Sequence, residues 1–186
     1  MNKILILFTM AFVMIACSKE ASFDDIYNGV GENVLLPTKI DGVDAILSNG
    51  RNDKYDALIQ NVFTMLHEEE DSQIQYGDNC AVIINDKSLL SSCSDYRGEI
   101  CEWPQIDFDK QSLVLALCYI QSHGINYVSR LVIDNKQNPP VLHAEIKDQP
   151  TGTGNDYISS GRYLYVAALF PKISESELEI SLWVNH

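Results

Sequence analysis

The chain has 186 residues, of which 46% are hydrophobic and 21% are charged, and its formal net charge is −13. This composition is typical of a globular protein and argues against wholesale disorder, and the length suits one domain with a short appendage. A field this acidic repels nucleic acid and anionic lipid headgroups, so we expect no nucleic-acid partner.

The N-terminus has the order of signals found in exported proteins. Met1–Lys3 is short and positive, the segment from Ile4 to Ile15 is apolar except for Thr9, and Ala16 precedes Cys17. About twelve apolar residues are too few to span a bilayer, which needs about 20, but they match a signal peptide. A small residue directly before a cysteine resembles the bacterial lipobox, in which the cysteine is lipidated and becomes the new N-terminus. The alternative is an ordinary cleaved signal with an incidental cysteine.

The lipoprotein interpretation predicts three segments. Residues 1–16 form a signal peptide that is removed, residues 17–30 form an acidic tether with acyl chains such as palmitate on Cys17, and residues 31–186 form one globular domain. Loss of Lys3 with the signal leaves 12 basic and 26 acidic residues, a net charge of −14. We therefore expect a cell-envelope protein anchored to the outer membrane without spanning it. Periplasmic and cell-surface placements both remain open.

Hydrophobic spacing predicts one helix and a central strand. Apolar residues from Tyr55 to Leu66 recur at i, i+3 and i+4, which predicts an amphipathic helix over about residues 53–69, capped by Asn52 or Asp53. Leu113–Ile120 is apolar apart from a thiol and a phenol, as in a strand buried on both faces. We expect shorter extended pieces, and a brief helix capped by Asp86, in the remaining segments: 33–36, 43–47 and 80–84 extended, 87–93 helical.

The C-terminal half alternates apolar and polar residues, which predicts half-buried strands. In the first of these strands, Val128, Arg130 and Val132 are expected on one face. In the second, Leu142, Ala144 and Ile146 are expected on one face, with His143 on the other. Five strands counted from Leu113, mostly joined by short connections, predict an antiparallel meander or small sandwich covered by the helix. The expected fold class is α+β, dominated by strands.

Four cysteines besides Cys17 predict two disulfides, because an even number in an exported chain is typical of a disulfide framework. Cys93 and Cys101 flank one short polar loop, whereas Cys80 and Cys118 lie in two predicted strands that could be neighbours. Of the three possible pairings we favour 93–101 with 80–118. A zinc site made by all four thiolates is the alternative, but no Cys-x2-Cys pair is present.

Residues with catalytic potential are sparse. The sequence has no Gly-x-Ser-x-Gly motif and no phosphate-binding loop. His67 is followed four residues later by Asp71, where a zincin would have a second histidine. His123 lies in a predicted turn and His143 on an outward strand face, each without a nucleophile at a recognisable spacing. We therefore expect no catalytic residue, metal or cofactor.

Aromatic side chains suggest a second kind of function. Tyr157, Tyr163, Tyr165 and Trp183 could line a recognition surface, since amphipathic rings suit contacts with ligands. In strands, however, aromatic residues are more often core or cross-strand partners.

Three stretches resemble a known family. Pro104–Val114, which contains Ile-Asp-Phe, precedes two or three strands, and Gly161–Val166 and Phe170–Ile173 follow them. This arrangement resembles small bacterial lipoproteins related to the C-terminal domain of PrcB-like protease-complex subunits, over about residues 80–184. The resemblance implies a non-catalytic accessory domain that binds or stabilises another exported protein, such as a protease. Capture of a glycan or small ligand is the alternative function, and an unrecognised hydrolase is a third.

Overall fold

The computed structural model of the chain describes residues 22–28, 33–39, 44–51, 53–70, 78–121, 125–149, 161–175 and 177–185. In this part of the chain two four-stranded sheets pack face to face, and one helix lies on the outer face of each sheet. The elements in chain order are α1 (Phe23–Asn28), β1 (Val34–Leu35), β2 (Ile46–Asn49), α2 (Asp53–Glu70), β3 (Cys80–Ile84), β4 (Cys93–Ser94), β5 (Ile100–Cys101), β6 (Gln111–Ile120), β7 (Ile125–Asp134), β8 (Val141–Gln149), β9 (Arg162–Pro171) and β10 (Glu179–Asn185).

The sheet order makes the fold a sandwich rather than a meander. The first sheet has the order β1-β7-β8-β10 and the second has the order β2-β9-β6-β3, while β4 and β5 form a separate two-stranded ribbon. Because β6 and β7 are consecutive but belong to different sheets, the chain crosses between layers instead of adding each strand beside the last. The predicted α+β class dominated by strands is confirmed.

One strand departs from the predicted antiparallel arrangement, because β10 pairs in parallel with β8. After β9 ends in the second sheet, a short connection brings the chain to the end of the sandwich where β8 begins. There the backbone N–H of Glu179 donates to the carbonyl of Pro140 at 2.9 Å. Since β10 enters the sheet beside the start of β8, both strands run in the same direction.

The central strand predicted at Leu113–Ile120 is confirmed, and it is buried on both faces. Val114, Ala116 and Cys118 point into the core between the two sheets. Leu113 and Leu115 point the other way, into the layer beneath α2. Burial on both sides explains the continuous apolar run, because neither face of this strand meets water.

A β-bulge in β7 changes which residues of that strand face the core. Val128 pairs with Ile146 and Arg130 pairs with Glu145, so Ser129 is an extra residue on the β7 side. Val128 therefore points into the inter-sheet core, as do Leu131 and Ile133 beyond the bulge. The prediction that Val128 and Arg130 share a face is wrong, because one inserted residue reverses the alternation.

The two helices cover opposite sides of the sandwich. α2 has the predicted bounds to within one residue, and Ile59, Val62 and Phe63 pack on the second sheet. The caps predicted at Asn52 and Asp53 lie outside the described side chains. α1 packs on the first sheet through Phe23, which is only 5% exposed and contacts Val132 and Trp183. Neither described helix is long and apolar enough to cross a membrane.

The packing of α1 corrects the tether predicted at residues 17–30. From Phe23 to Asn28 the chain is helical and folded onto the sheet, because the aromatic side chains in this acidic stretch have an apolar surface to cover. Ser22 caps the helix reciprocally with Asp25: the Asp25 N–H donates to Ser22 Oγ at 3.2 Å, and the Ser22 N–H donates to Asp25 Oδ2 at 3.0 Å. The remaining tether residues lie outside the described part of the chain.

The brief helix predicted at residues 87–93 is also wrong. The segment forms one turn, in which the N–H of Leu90 donates to the carbonyl of Lys87 at 3.0 Å, and then enters β4. Asp86 caps this turn as expected, accepting a hydrogen bond from the N–H of Ser88 at 2.7 Å. One turn is too short to gain from helical cooperativity, so the segment continues into β4 and does not form a helix.

Candidate functional site

A cleft of about 480 Å³ lies on the outer side of the second sheet, beside the segment that joins β5 to β6. Its walls combine apolar, aromatic and charged side chains from this segment and from the turn before β4. The volume lies within the range of small-ligand pockets, about 300–1,000 Å³. The lining residues are Lys87, Leu90, Ser92, Glu102, Trp103, Pro104, Gln105, Ile106 and Phe108.

The floor of the cleft is held by packing onto α2 and the second sheet. The rings of Trp103 and Tyr55, the latter on α2, are 5.9 Å apart at a tilt of 42°. Leu90, Ile106 and Phe108 pack against the apolar layer beneath the helix. Near the C-terminal end of the segment, Lys172 Nζ donates to the Phe108 carbonyl at 2.7 Å. The cleft is thus formed by irregular backbone attached to a rigid layer.

The indole of Trp103 has an unsatisfied donor. Its Nε1 is buried and has no hydrogen-bond partner among the described residues. An unsatisfied buried donor costs about 1–3 kcal/mol, so native proteins usually provide a partner for such a group. Trp103 lines the cleft, although the Nε1 atom itself is closed off from solvent.

The backbone of the same segment is irregular. Residues 102–106 belong to no helix or strand, and within the described chain none of their N–H or C=O groups takes part in a backbone-to-backbone hydrogen bond. A proline at position 104 disfavours a helical conformation at Trp103. The cleft wall therefore combines irregular main chain with an indole donor that has no described partner.

The opposite side of the molecule has a different character. Beneath α1, the carboxylate of Glu145 is almost fully buried and receives two hydrogen bonds from Arg130, at 2.7 and 2.8 Å. Ser129 Oγ and Asn185 Nδ2 also donate to it, at 2.5 and 2.6 Å. The Arg130 guanidinium lowers the pKa of Glu145 to about 2. The carboxylate is stably ionised and saturated with donors, so it is a structural group rather than a reactive one.

Arg130 also attaches α1 to the sheet. Its Nη1 lies 2.8 Å from Asp24 Oδ1, and its guanidinium carbon lies 4.8 Å from the centre of the Phe23 ring and 4.9 Å from that of Tyr27. Hydrogen bonds from Arg130 to Glu145 and Asp24 raise the pKa of the guanidinium. One cation thus links the helix to the buried carboxylate.

His143 is on the outer face of its strand, as predicted, but it is only 5% exposed. Trp183 and Val132 flank it, and the Trp183 indole N–H donates to His143 Nδ1 at 3.1 Å. Nε2 has no partner among the described residues. Burial lowers the pKa of His143, which favours the neutral ring. The histidine lies beneath neighbouring side chains rather than in the cleft, and His123 lies outside the described residues.

The four inner cysteines are free thiols in this structure. Cys93 and Cys101 face each other across the β4–β5 ribbon. Its turn is closed by Gly98 at φ +81°, with the Gly98 N–H donating to the Asp95 carbonyl at 3.0 Å. Directly opposed residues in antiparallel strands have Cα atoms about 4.5–5.5 Å apart, which is within the span of a disulfide. The geometry therefore suits the predicted 93–101 pairing.

The predicted 80–118 pairing does not fit the register. The two strands are neighbours, as expected, but Cys80 lies opposite Leu117. Cys80 therefore points towards the α2 layer, whereas Cys118 points into the core between the sheets. A bond between them would require the register to shift by one residue. Burial raises the pKa of Cys80 to about 11 and that of Cys118 to about 12, so both are inert thiols.

The predicted aromatic surface is not assembled as one site. Tyr163 and Tyr165 lie against the α2 layer, whereas Trp183 lies on the outer face of the first sheet, on the other side of the sandwich. Tyr157 and the lipidation site Cys17 lie outside the described residues. The tryptophan that does line the cleft is Trp103, which the sequence patterns did not single out. The sequence signal that could have identified this residue was a tryptophan directly before proline in a polar connection.

No group of three or more potential metal ligands occurs within the described ranges. No family model matches this chain, and no similar protein was found among curated sequences or solved structures. The resemblance to PrcB-like domains therefore stays a prediction, and the cleft must be interpreted from its own chemistry.

Proposed function

We propose that this chain is a lipid-anchored, non-catalytic binding module of the bacterial cell envelope, which presents the Trp103 cleft to another exported protein. The observation that carries this proposal is the position of α1 relative to the cleft. α1 lies on the outer face of the first sheet, and the cleft lies on the outer side of the second. The two features are therefore separated by both sheets.

This arrangement gives the anchored molecule a defined orientation. Only six residue steps separate Cys17 from Phe23, which is buried against the first sheet. At about 3.3–3.6 Å per residue, that length of chain spans at most about 22 Å. An acylated Cys17 would therefore hold the α1 side close to the bilayer and leave the cleft facing away from it.

The interior supports a binding role over catalysis. The most perturbed carboxylate, Glu145, is saturated by donors, and His143 accepts from Trp183. A general base needs a reachable proton on a substrate or nucleophile, and neither group lines the cleft. Among the described residues, the cleft contributes hydrogen bonds, charge and apolar area, which are the elements of recognition.

The anchor is tested by labelling cells with an alkyne analogue of palmitate. We expect label on the native protein, none on Cys17→Ser, and a mature N-terminus at Cys17 by mass spectrometry. An unlabelled protein with an N-terminus beyond residue 17 would remove the anchor from the proposal.

The binding role is tested with a photo-crosslinking amino acid placed at Ile106 in the cleft. The matched control carries the same group at Lys136, an exposed turn residue on β7–β8. We expect a defined exported protein to be captured from Ile106 and not from Lys136. Equal capture from both positions, or none from Ile106, would contradict the proposal.

A second candidate is capture of a small ligand or glycan. The volume of the cleft and its tryptophan favour it. The separation of Tyr163 and Tyr165 from Trp183 weighs against it, because those rings do not form a shared platform.

A further inference from the structure

We propose that two copies of this chain pair edge to edge through β10, so that their first sheets form one continuous sheet. β10 is the last strand of that sheet, and β8 is its only neighbour there among the described strands. The inference goes beyond the proposed binding function and does not depend on the Trp103 cleft. It rests on a contrast between the two long sides of the sandwich.

The side of the sandwich formed by β1 and β2 is protected against pairing with another sheet. β1 has only two residues, and the pairing of β2 with β9 is irregular between Ile46 and Ser48. Beyond β1 the chain crosses to the second sheet, where the N–H of Thr38 donates to the Leu169 carbonyl at 2.7 Å. Short edge strands, bulges and covering segments are the means by which native sheets avoid edge-to-edge association.

β10, on the opposite side, has none of these features in the part of the chain that the structure describes. It spans seven residues, Glu179–Asn185, pairs with β8 in an unbroken register and contains neither lysine nor proline. It lies beside β3, the edge strand of the second sheet, which carries no charged side chain. Val184 on β10 is 43% exposed. The result is a long, nearly uncharged edge on a chain whose net charge is −13.

The parallel pairing with β8 determines which backbone groups of β10 face outward. The N–H of Glu179 donates to the Pro140 carbonyl at 2.9 Å, so the backbone groups of Glu179 point towards β8. Alternate residues of a strand point their backbone groups to opposite edges. The N–H and C=O groups of Ile180, Leu182 and Val184 therefore face away from β8, and no hydrogen bond to them occurs within the described chain.

These outward groups match those of a second copy of the same strand. Directly opposed residues of an antiparallel pair can exchange two hydrogen bonds, so a two-fold axis at Leu182 pairs Leu182 with itself and Ile180 with Val184. This register uses every outward-facing group of the three residues. It places Ile180 of one copy against the exposed Val184 of the other, and it sets Glu179 opposite Asn185 rather than opposite a second acid. β10 is thus complementary to itself in hydrogen bonds, apolar contact and charge.

The symmetry of this pairing agrees with the proposed anchor. The axis that relates two antiparallel neighbours is perpendicular to their sheet, so the outer faces of the two first sheets point in the same direction. α1 lies on this face in each copy, and both chains can therefore be held at one membrane surface. Confinement raises the effective concentration of the copies, which favours a contact as small as one strand pair.

Cysteine crosslinking tests the register. Leu182→Cys places two thiols opposite each other across the axis, at a Cα separation of about 5.5 Å that a disulfide can span. Val184→Cys is the matched control, because it lies on the same face and is well exposed. Its two copies are four residues apart along the strands, about 14 Å. After mild oxidation of the full chain in the cells that express it, we expect a dimer linked at residue 182, identified by peptide mass, and no dimer linked at residue 184.

A second pair of variants tests the backbone hydrogen bonds. Val184→Pro removes an outward N–H without breaking the ladder with β8, so the dissociation constant of the dimer, measured by native mass spectrometry, should rise at least about tenfold. Val184→Thr keeps the N–H and the branched Cβ and should change this constant by less than about threefold. Because each copy is strongly acidic, the dissociation constant of the native dimer should fall as salt screens the repulsion.

Several outcomes overturn the inference. They are a native chain that stays monomeric at about 100 µM, equal crosslinking or none from the two cysteine variants, and equal weakening by Val184→Pro and Val184→Thr. A crosslink from Leu182→Cys to a different protein would assign the edge to another partner and would also overturn it. If Leu182→Cys does not fold, the mass of the native chain decides. Failure to capture a protein from Ile106 would remove the binding function and leave this inference in place.

Discussion

The two outer faces of the sandwich are covered in physically different ways. On the first sheet, the short helix α1 is attached through Phe23 and a charged group, Arg130, that reaches the buried Glu145. On the second sheet, α2 is attached by a continuous apolar layer. Each face leaves one buried nitrogen without a described partner, His143 Nε2 on the first and Trp103 Nε1 on the second, but only Trp103 lines a cleft. The comparison shows that the cleft, rather than the charged network or an unsatisfied group alone, identifies the candidate site.

The largest expected effect comes from the apolar face. Phe63 is 5% exposed between α2 and the second sheet, so Phe63→Ala should lower the free energy of unfolding by about 4 kcal/mol through lost burial and a residual cavity. Urea unfolding followed by circular dichroism measures this change.

Phe23→Ala is the matched substitution on the other face, since Phe23 is also 5% exposed. We expect a smaller loss, because a short terminal helix can detach without unfolding the sheets. Equal losses would show that α1 is as integral to the fold as α2.

The next largest effect concerns the charged face. Glu145→Ala leaves Arg130 without its buried partner and should lower the free energy of unfolding by about 3 kcal/mol, near the low end for a broken buried pair because Arg130 is partly exposed. Lys110→Met is the control: it removes an ion pair whose two side chains are 80% and 46% exposed, which should cost less than about 1 kcal/mol. Similar losses for the two substitutions would mean that Glu145 contributes no more to the free energy of unfolding than a surface charge does.

The same carboxylate predicts sensitivity to acid. The pKa of Glu145 falls from an ordinary value of 4.5 to about 2 on folding, so the unfolded chain binds a proton more readily between these values. Its stabilisation should be complete above about pH 4.5 and lost as the pH falls towards 2. Chemical unfolding at several pH values should show a steeper decline for the native protein than for Glu145→Gln.

A disulfide between Cys93 and Cys101 is expected to have a somewhat smaller effect. Closing the short loop between them should stabilise the folded state by about 2.5 kcal/mol on the chain-entropy model. Peptide mapping of protein purified from the cell envelope should find this bond and find Cys80 and Cys118 as thiols. A bond between Cys80 and Cys118 would contradict the strand register described here.

The smallest effect is expected at His143. Burial lowers its pKa from 6.5, so the unfolded chain takes up a proton that the folded chain does not. The free energy of unfolding should therefore decrease as the pH falls through about 6.5. His143→Gln, which cannot titrate, should have a flatter profile between neutral pH and 6; identical profiles would show that this ring is solvated in solution.

Local patterns in the sequence determined the main elements correctly. The continuous apolar run from Leu113 and the stripe from Tyr55 to Leu66 predicted β6 and α2, because burial on two faces or on one leaves a periodic signature in the chain. Alternation in β8 placed Leu142, Ala144 and Ile146 in the core. The opposition of Cys93 and Cys101 also followed from the short loop between them.

What the tertiary structure decided was every feature that depends on how distant segments meet. The bulge at Ser129 places Arg130 opposite Glu145, the register separates Cys80 from Cys118, and α1 covers a face that alternation had assigned to solvent. None of these features can be read from the local sequence. Neither a one-residue shift in strand register nor the packing of a helix on the sheet changes the residue propensities of the strand itself. The free donor of Trp103 belongs to the same class: the sequence contained the indole, but only the packing around it left the N–H without a partner.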